Sequence, residues 1–309
     1  MISNCNLIAY FFRVMFMILN VSGRTDIVAF YTSWFMKRYK DGYIDVRNPF
    51  YEKQVSRIYF DDVDAIVFCT KNPLPIIKYL PNINHPMIFQ VTLTPYKQDL
   101  EPNVIPKGKI VDAIKEISMI IGNDNIYVRY DPVIINDIYN IDYHIKAFDH
   151  LCELLDGYVK HIIISFVDHY KNVDHNRQIL NIKSLTDNDY QAVGENFSRS
   201  AKKHHMTVQT CCEDRNLVEY GFIRRDCVDH QLVFKLTGKT NFPKWKQRSC
   251  NCVSMVDIGM YNTCSHYCKY CYANFDEKSV HNNILKHDDN SSLLLGYLQD
   301  DDIIKVRKK

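Results

Sequence analysis

Six short apolar runs, rich in β-branched and aromatic residues, recur along this chain at 17–21, 64–69, 87–93, 126–130, 161–167 and 206–210. Each is of strand length, and largely continuous apolar character marks strands buried on both faces, as in a parallel sheet. Helical patterns separate several of them. Residues 27–40 follow Asp26 as a capping residue, and 109–121 carry a stripe of Ile110, Ile114, Ile117 and Ile121 ending before Gly122. Residues 142–155 precede Gly157, and 186–204 open on Thr186 with Asp189 three positions on, a capping-box pattern. Strands alternating with helices predict an α/β fold with right-handed crossovers: a parallel (β/α) barrel, complete or partial. A weaker seventh run at 254–258 would add a last strand, and 43–59 reads as an inserted hairpin around Asn48-Pro49.

Polar residues gather after each predicted strand. Ser22, Arg24, Thr25 and Asp26 follow the first, and Thr70, Lys71 and Asn72 the second. Thr94, Tyr96, Asp99 and Glu101 follow the third, Arg129 and Asp131 end the fourth, Asp168 and Tyr170 the fifth, and Cys211 and Glu213 the sixth. In a parallel barrel these positions meet on one face, where active sites are built. Arg24, Lys71 and Arg129 suit a carboxylate or phosphate, while Asp26, Asp131 and Asp168 suit an amine, a hydroxyl or a proton. Asn72, Tyr96 and Glu213 are candidates for holding a cofactor. Simpler roles exist for several: Asp26 as a helix cap, Asp131-Pro132 as a turn, Arg129 with Asp131 as a structural ion pair.

The chain has 11 cysteines, five of them within the 22 residues from Cys250 to Cys271. Cys264, Cys268 and Cys271 are spaced Cys-x₃-Cys-x₂-Cys. Three thiolates at this spacing can hold three irons of a four-iron cluster and leave the fourth open to a small molecule. Zinc is the alternative ligand, because Cys250 and Cys252 add further soft donors just upstream. Cys211 and Cys227, with Cys250 and Cys252, form a possible second set of four thiolates for a second cluster or structural zinc; ordinary buried cysteine is the other reading. A disulfide framework is disfavoured, because 309 residues suffice for a real core and no secretory signal is evident.

The apolar fraction is 46% and the formal net charge +2 with dispersed charges, so a strongly basic nucleic-acid groove is not indicated. The closing Val306-Arg307-Lys308-Lys309 reads as a solvated tail. Residues 7–19 are apolar but interrupted by Arg13, too short to span a bilayer comfortably and without a cleavage site. Met17 reads as the natural start, with residues 1–16 a wrongly extended beginning. Residues 17–245 would then form the barrel-like domain and 246–309 a cysteine-rich segment completing it. A cytoplasmic protein with reduced thiols, no membrane contact and no strong nucleic-acid signal fits best.

Several strings resemble an uncharacterised bacterial family, the domain of unknown function number 1848. They are Ser22-Gly23-Arg24-Thr25-Asp26-Ile27, Val46-Arg47-Asn48-Pro49-Phe50, Thr70-Lys71-Asn72-Pro73, Leu93-Thr94-Pro95-Tyr96, Arg129-Tyr130-Asp131-Pro132 and Ile164-Ser165-Phe166-Val167-Asp168. The tail resembles its closing signature through Cys250-x-Cys252, Asp257-Ile258-Gly259, Tyr261-Asn262-Thr263-Cys264 and Tyr270-Cys271-Tyr272-Ala273-Asn274. Gly23, Val28 and Cys69 depart from the pattern, standing where a basic residue, Pro and Trp are expected. The resemblance implies a cysteine cluster similar to that of radical S-adenosylmethionine enzymes, hence a 4Fe-4S cluster, S-adenosylmethionine, a reductant and an unknown substrate. Such enzymes carry the motif after their first strand, whereas here it comes last. In a barrel the last strand lies beside the first, so a late motif can reach the same corner. No Gly-Gly-Glu string of the kind that binds the methionine amino group is present. A non-catalytic barrel stapled by zinc or an iron–sulfur cluster, acting in binding or redox, is the second functional expectation.

Overall fold

The computed structural model describes residues 16–167, 173–174, 176–246 and 250–307. The chain runs β1 (Ile18–Val21), α1 (Ile27–Phe30), α2 (Thr32–Asp41), β2 (Tyr43–Asn48), β3 (Tyr51–Tyr59), β4 (Ala65–Thr70), β5 (Met87–Thr92), α3 (Lys107–Ile121) and β6 (Ile126–Val133). It continues through α4 (Ile141–Leu155), β7 (His161–Phe166), α5 (Arg177–Leu180), α6 (Asp187–Lys203), β8 (Thr207–Thr210), α7 (His230–Thr237), β9 (Met255–Asp257), α8 (Glu277–Ile284) and β10 (Ile303–Val306).

All seven apolar runs become strands of one sheet, in the order β8-β7-β6-β5-β4-β1-β9. Every neighbouring pair is parallel. The weak seventh run pairs with the first, Leu19 opposite Val256 and Asn20 opposite Asp257. This brings the chain's last cysteine segment beside its first strand. β8 and β9 end the order, and among the described residues no pairing joins them, so the pairings describe a seven-stranded parallel sheet rather than a closed barrel.

One sheet face, through Leu19, Val21, Phe68, Phe89, Val128, Tyr130 and Ile164, packs in the main core with apolar residues of α1 to α4 and α6. The other face, through Ile18, Ala65, Val67, Ile88, Tyr127 and Ile163, is covered by Cys227, Val228, Leu232, Val233, Phe242, Cys252 and Val253. Fully burying each large apolar side chain stabilises by about 1.5–3 kcal/mol, which is why continuous apolar strands need both coverings.

The expected caps form. Asp26 accepts from the Ala29 amide at 2.9 Å, and Thr186 with Asp189 makes the capping box of α6. The helix expected over 27–40 is interrupted at Tyr31, whose buried hydroxyl donates to the Thr263 carbonyl at 2.6 Å. That contact holds the α1–α2 break against the cysteine segment. The hairpin of β2 and β3 is antiparallel with an irregularity at Arg47/Asn48. Residues 303–306 pair with β3 as β10, so Val306, the first residue of the expected solvated tail, ends an exposed strand. Arg47 secures that strand through a two-pronged pair with Asp302, at 2.5 and 2.7 Å. Phe16 also joins the fold, its ring 4.8 Å from that of Phe242; residues 1–15 lie outside the described residues.

Within α6, Gly194 lies against Tyr220, and an added Cβ would stand 2.5 Å from its ring and 2.7 Å from its Cβ. Gly194→Ala is therefore expected to destabilise by about 1–3 kcal/mol despite alanine's better helix propensity. A urea melt of the variant showing no loss would contradict that packing.

Candidate metal centre

In a parallel sheet the carboxyl ends of all strands share one edge, and the cysteine loop lies over it. Backbone and side-chain contacts pin the loop there. Asn103 donates to the Ser265 carbonyl at 2.8 Å, the Lys269 amide to the Leu100 carbonyl at 2.9 Å, and Asn176 to the Lys269 carbonyl at 2.7 Å. Asn274 donates to the Cys264 carbonyl at 2.7 Å, and the Ala273 amide points at the Cys271 sulfur at 3.3 Å.

Burial pushes all three thiols up, Cys268 to about 12 against the pull of Lys71. The Cys264 thiol is raised further by Asp26, and that of Cys268 by Glu101. A thiol so disfavoured as an anion needs a positive charge to become a ligand, and a metal supplies it. The three sulfurs do not all fall within 4.8 Å of one another; among the described residues the one trio of ligand atoms that does is Asp226, Cys250 and Cys252. One tetrahedral zinc with bonds of about 2.3 Å draws its sulfurs to about 3.8 Å. A multi-iron cluster gives each thiolate its own iron and so tolerates wider spacing. Beside it, Thr25 Oγ1, His266 Nδ1 and Asn274 Oδ1 are buried without partners, half of the six such atoms among the described residues. Unmet polar atoms concentrated on the cysteine loop and the β1 loop fit a polar bound group there.

The residues after the strands surround this loop. Asp26 takes the Lys71 amide at 2.7 Å and His266 Nε2 at 2.9 Å, so one buried carboxylate joins the loops after β1 and β4 to the cysteine motif. Lys71 donates to Glu101 Oε1 at 2.8 Å, and Thr94 reaches the same oxygen at 2.6 Å. Lys107 and Tyr270 also bond Glu101. Burial pushes the Glu101 carboxyl up, but Lys71 and Lys107 outweigh it and hold it at about 2.

Arg129 bonds Asp131 (Nε at 2.9 Å) and Gln90 at 3.1 Å, and Asp131 also accepts from Ser165. Burial raises the Asp131 carboxyl, yet Arg129, Ser165 and Lys71 bring it below its usual range. Arg24 is committed to Asp257, its Nε at 3.1 Å from the carboxylate and its Nη2 at 2.7 Å from the carbonyl. Tyr96 spans to β6, donating to the Pro132 carbonyl at 2.8 Å and accepting the Ile134 amide at 2.7 Å. Asn72 accepts the Leu74 amide at 3.3 Å, and Glu213 accepts the Phe166 amide at 2.9 Å. Asp168 lies outside the described residues.

Lys71, Asp26, Arg129 and Asp131 thus meet near the cysteines or on the sheet's second face, while Arg24 ties β1 to β9. Glu101 and Asp257 are the two residues whose weight the strand-end pattern understates. Glu101 had a signal in the polar run after the third strand, and Asp257 in its Asp-Ile-Gly string. At Gly23, which lacks the expected basic side chain, an added Cβ would sit 3.1 Å from Asp257 Oδ2, and Tyr272 bonds its carbonyl. The Asp257 network occupies that space.

No curated protein matches the chain. A family model for the domain of unknown function DUF1848 matches residues 18–273, which include every strand of the large sheet and all three cysteines of the motif. The chain belongs to the DUF1848 family.

Proposed function

We propose that this chain is an iron–sulfur enzyme of the radical S-adenosylmethionine type, built on a partial (β/α) barrel. Cys264, Cys268 and Cys271 would bind three irons of a 4Fe-4S cluster, leaving the fourth for the amino and carboxylate groups of S-adenosylmethionine. That pair supplies one-electron reductive cleavage and hydrogen abstraction when bound, with the electron from a separate reductant. The carrying observation is the half-buried triad over the strands' carboxyl edge, flanked by unpartnered polar atoms. Asp26 would fix His266 and the cysteine loop. Lys71, held as a cation beside Cys268 by Glu101, and the Arg129–Asp131 pair would orient a substrate. Asn72, Tyr96 and Glu213 would shape the surrounding loops. A reducing, cytoplasmic setting suits so many thiols.

A second reading has its own support. Arg24, Lys71 and Arg129 already hold carboxylate partners, which suits a metal-stapled binding or redox module.

Anaerobic purification followed by iron, sulfide and zinc analysis separates the readings. About four irons per chain are expected, lost in Cys268→Ala, with 5′-deoxyadenosine formed when the reduced protein meets S-adenosylmethionine. A colourless protein carrying zinc at this triad sinks the iron–sulfur reading. A brown protein that never cleaves S-adenosylmethionine leaves the module.

A further inference from the structure

We propose a second metal site, separate from the triad, in which Cys211, Cys227, Cys250 and Cys252 hold a single zinc ion across the two ends of the large sheet.

The four cysteines come from distant places. Cys211 directly follows β8, one end of the sheet order, and Cys250 and Cys252 directly precede β9, the other end. Cys227 lies on the segment that crosses the second sheet face between them, its carbonyl accepting from Gln90 of β5 at 3.2 Å. The fold gathers their sulfurs in a chain. Cys211 and Cys227 are 2.9 Å apart, Cys227 neighbours Cys252, and Cys252 and Cys250 lie within 4.8 Å of each other and of the Asp226 carboxylate.

Neighbouring sulfurs along this chain are close, although the four do not all lie within 4.8 Å of one another; tetrahedral zinc–thiolate bonds of about 2.3 Å would draw them to about 3.8 Å apart. A cysteine side chain turns on one torsion, so drawing the chain of sulfurs onto one ion needs side-chain rotation rather than a new backbone. The site is walled by Val228, Leu232, Val233, Phe242 and Val253, and Cys227 and Cys252 are 7% and 5% exposed.

Electrostatics point the same way. Four thiolates around zinc carry net negative charge, and the Arg129 guanidinium lies beside Cys211 and Cys227. Such a nearby cation favours the thiolate form even while Arg129 is hydrogen-bonded to Asp131 and Gln90. Asp226 also accepts the Asn251 amide at 2.8 Å, which shapes the turn between Cys250 and Cys252 and leaves its carboxylate as a neighbour of the ion. The consequence for the fold is specific. β8 and β9 share no backbone ladder among the described residues, and one ion would tie the segments next to both.

The test measures both metals in anaerobically purified protein. Wild type is expected to hold about one zinc beside its iron, with Cys227→Ser and Cys252→Ser each reducing zinc below about a tenth while iron persists. Cys268→Ala should do the reverse, so loss of the triad's iron and loss of this zinc are told apart. If the serine variants do not fold, alkylation of native wild type gives the answer. Cys211, Cys227, Cys250 and Cys252 should resist labelling with zinc bound and react together once a chelator removes it. Wild type without zinc, variants that retain it, iron in its place, or a Cys211–Cys227 disulfide under anaerobic conditions would each overturn the proposal.

Discussion

Replacing Asp257 with alanine is expected to destabilise the protein by about 3 kcal/mol and to lower metal retention at Cys264, Cys268 and Cys271. Its carboxylate accepts five hydrogen bonds: Asn20 at 2.9 Å, Ser22 at 2.7 Å, the Gly23 amide at 2.6 Å, Arg24 Nε at 3.1 Å and the Gly259 amide at 2.8 Å. Truncation leaves a guanidinium, two backbone amides, the Asn20 side-chain amide and the Ser22 hydroxyl without this acceptor, in a place where both ionic side chains are about 15% exposed. Each unsatisfied buried group costs about 1–3 kcal/mol, but water admitted to the gap and the guanidinium's second bond, to the Asp257 carbonyl, reduce the sum. The metal effect follows from position, since Asp257 is the last residue of β9 and the triad begins seven residues later. Asp257→Asn keeps the shape but turns an amide donor toward other donors, so it should recover part of the stability at most. Urea unfolding of both variants and of Arg24→Ala checks this. If Arg24 serves chiefly as the tie, the Arg24–Asp257 double-mutant cycle shows strong coupling; additive losses would return Arg24 to substrate binding.

The strands were legible because burial on both faces writes itself into sequence as continuous apolar runs; even the weak run at 254–258 proved to hold a strand, Met255–Asp257. Caps were legible for a similar local reason, as at Asp26 and at Thr186 with Asp189. What could not be read is non-local. Whether β8 meets β9 depends on strand tilt and on the segment filling the second face, and neither leaves a mark within a ten-residue window. The break at Tyr31 answers to a carbonyl 232 residues away, that of Thr263. The cysteines show the same division: Cys264, Cys268 and Cys271 declare themselves by spacing, whereas the approach of Cys211 and Cys227 to Cys252 is created only by the crossing of the sheet. The positions of the strand-end charges can be read from the pattern, but sequence has no means of saying that Arg24 faces Asp257 or that Lys71 faces Glu101.

Glu101→Gln should remove the centre of the site's charge balance and cost about 3 kcal/mol near neutral pH. The wild-type carboxylate is 1% exposed and is held at about 2 against an ordinary value of 4.5. That lowering corresponds to about 3 kcal/mol of preference for the charged form in the folded state. Because the folded value lies below the unfolded one, this stability is fully present above about pH 4.5 and is lost as the pH falls towards about 2. Less than half of it should remain at about pH 3. The variant has no such proton to gain, so the difference in unfolding free energy between wild type and Glu101→Gln should be flat above about pH 5 and shrink steadily below it. Urea titrations at a series of pH values on metal-matched samples measure that difference directly. The variant also leaves the Lys71 and Lys107 ammonium groups facing each other without the charge between them. Burial already favours the neutral form of Lys107, so the variant should lower that lysine's affinity for a proton further. A stability difference that does not change between about pH 5 and pH 3 would mean that the carboxylate's charge is not what holds the two lysines beside the cysteine loop.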